Sequence, residues 1–423
     1  MKIGAAKVSI TPYFAKVWLA GFANPKRKFL GAHDEGWARA MYIEDGQEKI
    51  CFVSIDNLGF DSSRLADMAP EIAEKTGLSI DHILFNATHT HSMPAAERRG
   101  KLTNEYNEEY ADWMYKNIVE AICLACNNAE EGYLEYGFTT CKGVSINRRR
   151  LENGVSLDML PDPDGLNRDE VFVLRAICGE KTKAILTKFT CHASTVGLNY
   201  SSGDWPGYAC RGVEASNPGA VALFMQGCCG SIRPCLVEDP DNMSTTTFRE
   251  AGFEDIMNIG KAVSTAAQGV LDGEMTPVKG KIAAKKIFFD LPFQPPLPIE
   301  EYADSPSDPF LIPVYKKYMR DNYNNLPTSM PYSMQRIDLG DTLTVIGMEG
   351  EVVVDYEYHM DKIFSDRRVV TAGYSNGLPC YICTAKMLDE GGYESIISMN
   401  YYIKPVFKPE VEQTIIDNAK RLK

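Results

Sequence analysis

The chain has 423 residues, 44% of them hydrophobic and 24% charged, ordinary proportions for a globular protein with a sizeable core. Its net charge is −13, and its only basic block is the short Asn147-Arg148-Arg149-Arg150, so the phosphate-neutralising surface that a nucleic-acid partner requires is missing. No segment approaches the 18 or so uninterrupted apolar residues of a membrane span, and Met1–Val8 runs into a strand-like pattern without an export signal. A cytoplasmic location is therefore expected, with the twelve cysteines reduced.

Strands alternate with helices along the chain. Residues 50–56 read as a buried strand, and 62–76 as a helix bent near Pro70 and stopped by Gly77. A strand at 82–88 follows, then a long helix at about 105–127 with Asn104 as its candidate cap. That helix repeats apolar residues at Met114, Ile118, Ala121, Ile122 and Ala125, which makes Cys123 and Cys126 core residues rather than half of a four-thiolate zinc site with Cys380 and Cys383. Strands are expected at 183–190 and 220–226, the second running into Gly227-Cys228-Cys229-Gly230, and a helix at about 249–271.

The seven prolines of 292–313 mark either a domain linker or a surface excursion within one domain. Beyond it, strands at 342–347 and 368–373 lead into Met348-Glu349-Gly350-Glu351 and Tyr374-Ser375-Asn376-Gly377, and an amphipathic helix at 409–422 closes the chain.

Chemistry concentrates at the strand ends. His89 and His91 lie just beyond one strand and His192 just beyond another, where ligands collect in α/β folds. In an extended segment His89 and His91 would point to one face, and imidazole is the commonest transition-metal ligand. Glu349 and Glu351 are also two apart, so either carboxylate could face the same place. A buried, inert pair is the expected state of Cys228 and Cys229, since nothing marks a base beside them. His82 and His359 belong to no motif and read as surface groups.

An ordered set of motifs sharpens this picture: Ala20-Gly21-Phe22-Ala23-Asn24-Pro25, Gly31-Ala32-His33-Asp34 with Ala38-Arg39-Ala40, Ala87-Thr88-His89-Thr90-His91-Ser92, Ile146-Asn147-Arg148, Cys191-His192, Gly203-Asp204 with Gly207-Tyr208-Ala209, Gln226-Gly227-Cys228-Cys229-Gly230, Gly350-Glu351, and Tyr381 with Tyr393-Glu394. Together they resemble the catalytic domain of the neutral/alkaline (non-lysosomal) ceramidase family, zinc-dependent amide hydrolases. The resemblance implies one catalytic domain over 1–423, without the ceramidases' C-terminal domain. It also implies an α/β fold of mixed sheets layered with flanking helices (αββα-like), with the zinc site at strand C-terminal ends.

Carried over, the Zn²⁺ ligands are His89, His192, Glu351 and Tyr381. Two imidazoles and a carboxylate are a usual catalytic zinc set, and a bound dication can favour the Tyr381 phenolate. His91 becomes an acid/base group, Arg148 and Tyr393 donors to the developing oxyanion, and Asp204 an orienting carboxylate. His33 either lines the pocket or holds a loop. The implied reaction is cleavage of an amide C–N bond in a small-molecule substrate by zinc-activated water. Cleavage of an ester or lactone, or ligand binding without turnover, are the alternatives.

One departure bears on the substrate. Against the ceramidases' Cys-Gly-Asp-Val-Ser-Pro-type loop, Cys229-Gly230-Ser231-Ile232-Arg233-Pro234 puts Ser231 at the aspartate and Arg233 at the serine proposed as nucleophile or substrate contact. A guanidinium is no nucleophile, so water is favoured, and an Arg233 turned into the pocket would suit an anionic substrate.

Overall fold

A computed structural model describes residues 1–22, 27–97, 106–156, 159–303 and 312–423. Two twisted sheets lie face to face. The larger contains β1 (Lys2–Ser9), β2 (Trp37–Glu44), β3 (Lys49–Ile55), β4 (Ile83–Ala87), β5 (Glu130–Thr140), β6 (Glu170–Cys178), β7 (Lys181–Phe189) and β8 (Val221–Gln226), in the order β8-β7-β6-β5-β1-β2-β3-β4. The short strand Thr276–Pro277 adds to β5. The smaller runs β9 (Ile282–Pro292), β10 (Ser329–Leu339), β11 (Leu343–Met348) and β12 (Arg368–Ala372) in chain order.

Period-two alternation explains the layering. Phe172, Leu174 and Ala176 of β6 face Ile337, Leu339 and Val345 of the smaller sheet, while Val171 and Val173 face the other way, onto helices. On that outer face α1 (Ser62–Thr76) and α2 (Glu108–Asn127) cover β1–β4, and α3 (Asp204–Ser216) and α4 (Phe253–Leu271) cover β6–β8. The smaller sheet's outer face carries the helices Asp355–Ile363 and Glu410–Leu422. Helix, sheet, sheet, helix is the expected αββα order. Strands buried on both faces read as unbroken apolar runs, which is why alternation was faint in the sequence.

Caps fix the helix ends. Asp61 accepts from the Ser63 N–H, and Gly77, at φ 68°, ends α1 as expected. Helix α2 is capped by Asn107, whose side chain accepts from Tyr110 N; Asn104, the residue expected there, lies outside the described residues. Helix α4 starts at Phe253 rather than near 249, because the Asp255 carboxylate takes the Gly252 N–H and anchors Arg249 before the first turn. The proline-rich stretch continues the sheet at first: Pro292 ends β9 opposite Ser329, and Pro313 opens a helix at a position needing no N–H. Its residues 304–311 are not among those described. No helix among the described residues is long and apolar enough to cross a membrane.

Three parallel pairings matter most: β3 with β4, β7 with β8, and β11 with β12. The loops that follow β4, β7, β8, β11 and β12 converge. Asn86, the penultimate residue of β4, ties them: its Oδ1 accepts from Gln226 N at 2.7 Å and its Nδ2 donates to Gly373 O at 2.7 Å.

Leu174→Ala, deep between the sheets with 0% exposure, should cost about 2–5 kcal/mol in urea unfolding. Truncation of Phe288, 68% exposed on β9, should change stability by less than about 0.5 kcal/mol.

Candidate active site

His89 and His192 reach one point from two loops. The loops are clasped by Gln226, whose Nε2 donates to Thr88 O and to Cys191 O, both at 2.9 Å. Each carbonyl belongs to the residue just before a histidine, so one amide sets the spacing of both. His89 has a left-handed backbone, φ 62°, which ends the strand direction there. His89 and His91 therefore meet through a turn and not through strand alternation, and His91 N donates to Ala193 O of the neighbouring loop.

The imidazoles are held from behind. His89 Nδ1 is 2.6 Å from Leu58 O, and His192 Nδ1 is 3.1 Å from Cys229 O. A carbonyl only accepts, so both Nδ1 atoms carry a proton, and in a neutral ring the lone pair is then on Nε2. These Nε2 atoms stand 3.1 Å apart. Glu351 Oε2 lies 3.2 Å from the first and 3.6 Å from the second, and is buried without a hydrogen-bond partner among the described residues.

Glu351 and Tyr381 arrive together because Glu351–Val352 pairs in parallel with Tyr381–Ile382, Glu351 opposite Tyr381. Tyr402 Oη donates to the other carboxylate oxygen, Glu351 Oε1. Glu349 turns elsewhere. Gly350, at φ 87°, breaks the extended run, and Glu349 Oε1 accepts from Ser333 Oγ in a separate cavity, its carboxyl pushed up to about 7 mainly by burial. The two-residue alternation that left either carboxylate open does not persist.

Burial, with adverse neighbouring charge, moves His192 and His91 well below the ordinary 6.5, so both are neutral at physiological pH. The unprotonated Nε2 atoms and the unpartnered Glu351 Oε2 thus point at one another. Three acceptors facing each other repel. A cation resolves the conflict, and ligands about 2.1 Å from a tetrahedral metal stand roughly 3.4 Å apart, close to the separations here.

His91 differs from the other two. Its Nε2 is 3.1 Å from His89 Nε2, and the three imidazoles form one potential metal-binding group. Yet its Nδ1 is buried with no hydrogen-bond partner among the described residues, whereas ligating histidines nearly always donate that proton.

A cavity of about 240 Å³ opens onto this point, lined by His91, His192, Arg148, Arg233, Tyr381 and Tyr393, with Phe22, Met159, Ser194 and Tyr401 completing its wall. Arg148 donates through Nη2 to Tyr381 Oη at 3.0 Å and through Nε to Glu394 Oε1 at 2.8 Å. Arg149 donates to the other Glu394 oxygen at 2.5 Å, so one buried carboxylate steadies two guanidiniums. Burial pushes the Tyr381 phenol well above its usual 10. The Cys228 and Cys229 thiols are buried and likewise pushed up, which suits an inert pair.

Residues 1–296 match the sequence pattern of the neutral/alkaline non-lysosomal ceramidase N-terminal domain. The chain belongs to this family. Its members are amide hydrolases, and this protein is an amidohydrolase. Neutral ceramidase from Pseudomonas aeruginosa has a similar fold, with a TM-score of 0.78 and 21% identity over 100% of this chain and 74% of that one. A ceramidase complexed with C2 gives 0.78 and 19% over the same shares.

Not every expected residue of the ceramidase-family site lines the cavity. Asp204 is fully buried, with Thr195 Oγ1 and N and Trp205 N donating to its carboxylate, which burial raises to about 6. Its reach toward His192 runs through Trp205, whose Nε1 donates to His192 O at 3.1 Å. Ser231 is equally buried; its Oγ accepts from Val354 N and its carbonyl from Arg148 N. His33 stacks on Phe253 at 3.6 Å and sits 3.0 Å from Asp34 Oδ2, outside the cavity. His82 and His359 are partly buried with Glu48 and Glu412 as partners, less solvated than expected. The motif residues Ala23, Asn24 and Pro25 lie outside the described set. Sequence reasoning missed Gln226 as the clasp, Tyr402 on Glu351, and Glu394 as counter-ion.

Gln226→Ala should leave the Thr88 and Cys191 carbonyls unsatisfied and lower stability by about 2–4 kcal/mol in urea unfolding.

Proposed function

We propose that the protein is a zinc-dependent hydrolase that cleaves an amide bond of a small substrate with water. One observation carries this reading: two imidazoles with carbonyl-tethered Nδ1 atoms and an orphaned carboxylate oxygen converge within 3.1–3.6 Å. His89, His192 and Glu351 would hold the ion, with the Tyr381 phenol beside Glu351 as fourth donor. A zinc ion bound there lowers the pKa of water from about 15.7 toward 7 and polarises the scissile carbonyl.

The remaining work falls to this chain's own side chains. Arg148, kept in place by Glu394, and Tyr393 face the cavity as donors for a carbonyl oxygen gaining negative charge, each worth on the order of 3 kcal/mol where well placed. His91 is the proton carrier: neutral, lining the cavity, its proton not fixed to Nδ1 by any carbonyl. It would hand that proton to the leaving amine. A cavity of about 240 Å³ suits a compact substrate, since drug-sized ligands occupy roughly 300–1,000 Å³.

Metal analysis tests the reading. The purified protein should hold about one zinc per chain and hydrolyse short N-acyl amines, and the His89→Ala/His192→Ala protein should lose both. His91→Asn should keep the zinc and lose turnover by about 10²–10⁴-fold. Full amidase activity in rigorously metal-free protein would sink the proposal, and a preference for esters over matched amides would change the bond class.

A further inference from the structure

Two guanidiniums line the catalytic cavity, and they are used differently. Arg148 is neutralised: Glu394 and Tyr381 take its N–H groups, and ion pair and phenol are both buried. Arg233 has no such partner. It enters on the short strand Ile232–Pro234, paired antiparallel with Ser145–Asn147, which sets it beside Arg148 at the cavity wall. No hydrogen bond or ion pair joins its side chain to any described residue, and its Nε is shielded from solvent without a partner.

The Phe248 ring, 4.1 Å from the guanidinium carbon, orients the group and leaves its charge uncancelled. Burial and the nearby Arg148 lower its pKa to about 10, so it remains a cation at neutral pH. Among the described residues no aspartate or glutamate lines the cavity.

A partly buried charge without a counter-ion is held at a cost, which a ligand of opposite sign relieves. Planar, forked N–H groups fit a carboxylate in two-point fashion.

We propose that Arg233 is the substrate-recognition residue of this site and that the substrate is a small amide bearing a carboxylate, an N-acyl amino acid or a dicarboxylic acid monoamide. The inference rests on the hydrolase reading for its reaction, and on Arg233 alone for its selectivity. The carboxylate could sit on the amine or the acyl side of the scissile bond; the charge partner is the same.

Zinc-loaded protein would be assayed on two matched pairs. N-hexanoylglycine against N-hexanoylpropylamine places the charge on the amine side; succinic acid monopropylamide against N-propylbutyramide places it on the acyl side. In one pair the carboxylate should raise kcat/KM by about 10- to 100-fold. Arg233→Met should bring that ratio to about one, and Arg233→Lys should restore part of it. Calorimetric binding of N-hexanoylglycine and of succinic acid monopropylamide gives a readout that needs no turnover. Selective binding of either without hydrolysis keeps the subsite and overturns the amidase reading. Hydrolysis with both ratios near one in the wild-type protein overturns the subsite, whatever the variants do.

Discussion

Everything at the centre of this molecule depends on two ring N–H bonds, His89 Nδ1 to Leu58 O and His192 Nδ1 to Cys229 O. Each fixes a tautomer, so each turns a lone pair inward. The accepting carbonyls come from two separate segments, one after β3 and one after β8. The site therefore depends on register in both halves of the large sheet. A one-residue slip in either would remove a carbonyl and free the ring.

The smaller sheet contributes the negative charge. Its strand β11 ends at Met348, Gly350 turns the chain in a left-handed conformation, and only then can Glu351 lie against Tyr381. An added Cβ at Gly350 would meet Cys380 O at 2.6 Å, so the turn and the close approach both require glycine. Glu349, one residue before that turn, ends in a different cavity. The two carboxylates look equivalent in sequence and become opposites through one backbone angle.

This explains what could be read in advance. Strands buried on both faces, such as β3, β4 and β8, announce themselves as apolar runs, and Gly77 ends α1 where helix physics puts it. The layer order and the histidine cluster were legible for that reason. Less legible were contacts set by side-chain reach across the fold: Gln226 clasping two loops, Tyr402 on Glu351, Glu394 between Arg148 and Arg149. Their sequence separations exceed 30 residues, and no periodicity encodes them. Asp204 and His33 show the converse. Both sit in recognisable motifs, yet Asp204 spends its oxygens on a turn and His33 spends its ring on Phe253.

Glu394 is already divided between Arg148 and Arg149, both about 4% exposed, so it has nothing left for a third guanidinium. Glu351 faces the imidazoles of His89 and His192 and accepts from Tyr402. Among the described residues no carboxylate is left for Arg233, and a dication bound at the histidines would make its surroundings more positive still. A neutral lipid amide would leave that excess unbalanced. A carboxylate in the cavity would balance part of it while leaving Arg148 and Tyr393 free for the oxygen that gains charge during the reaction. On the proposed reading, selectivity and catalysis would draw on separate cations, set side by side by the pairing of Ile232–Pro234 with Ser145–Asn147.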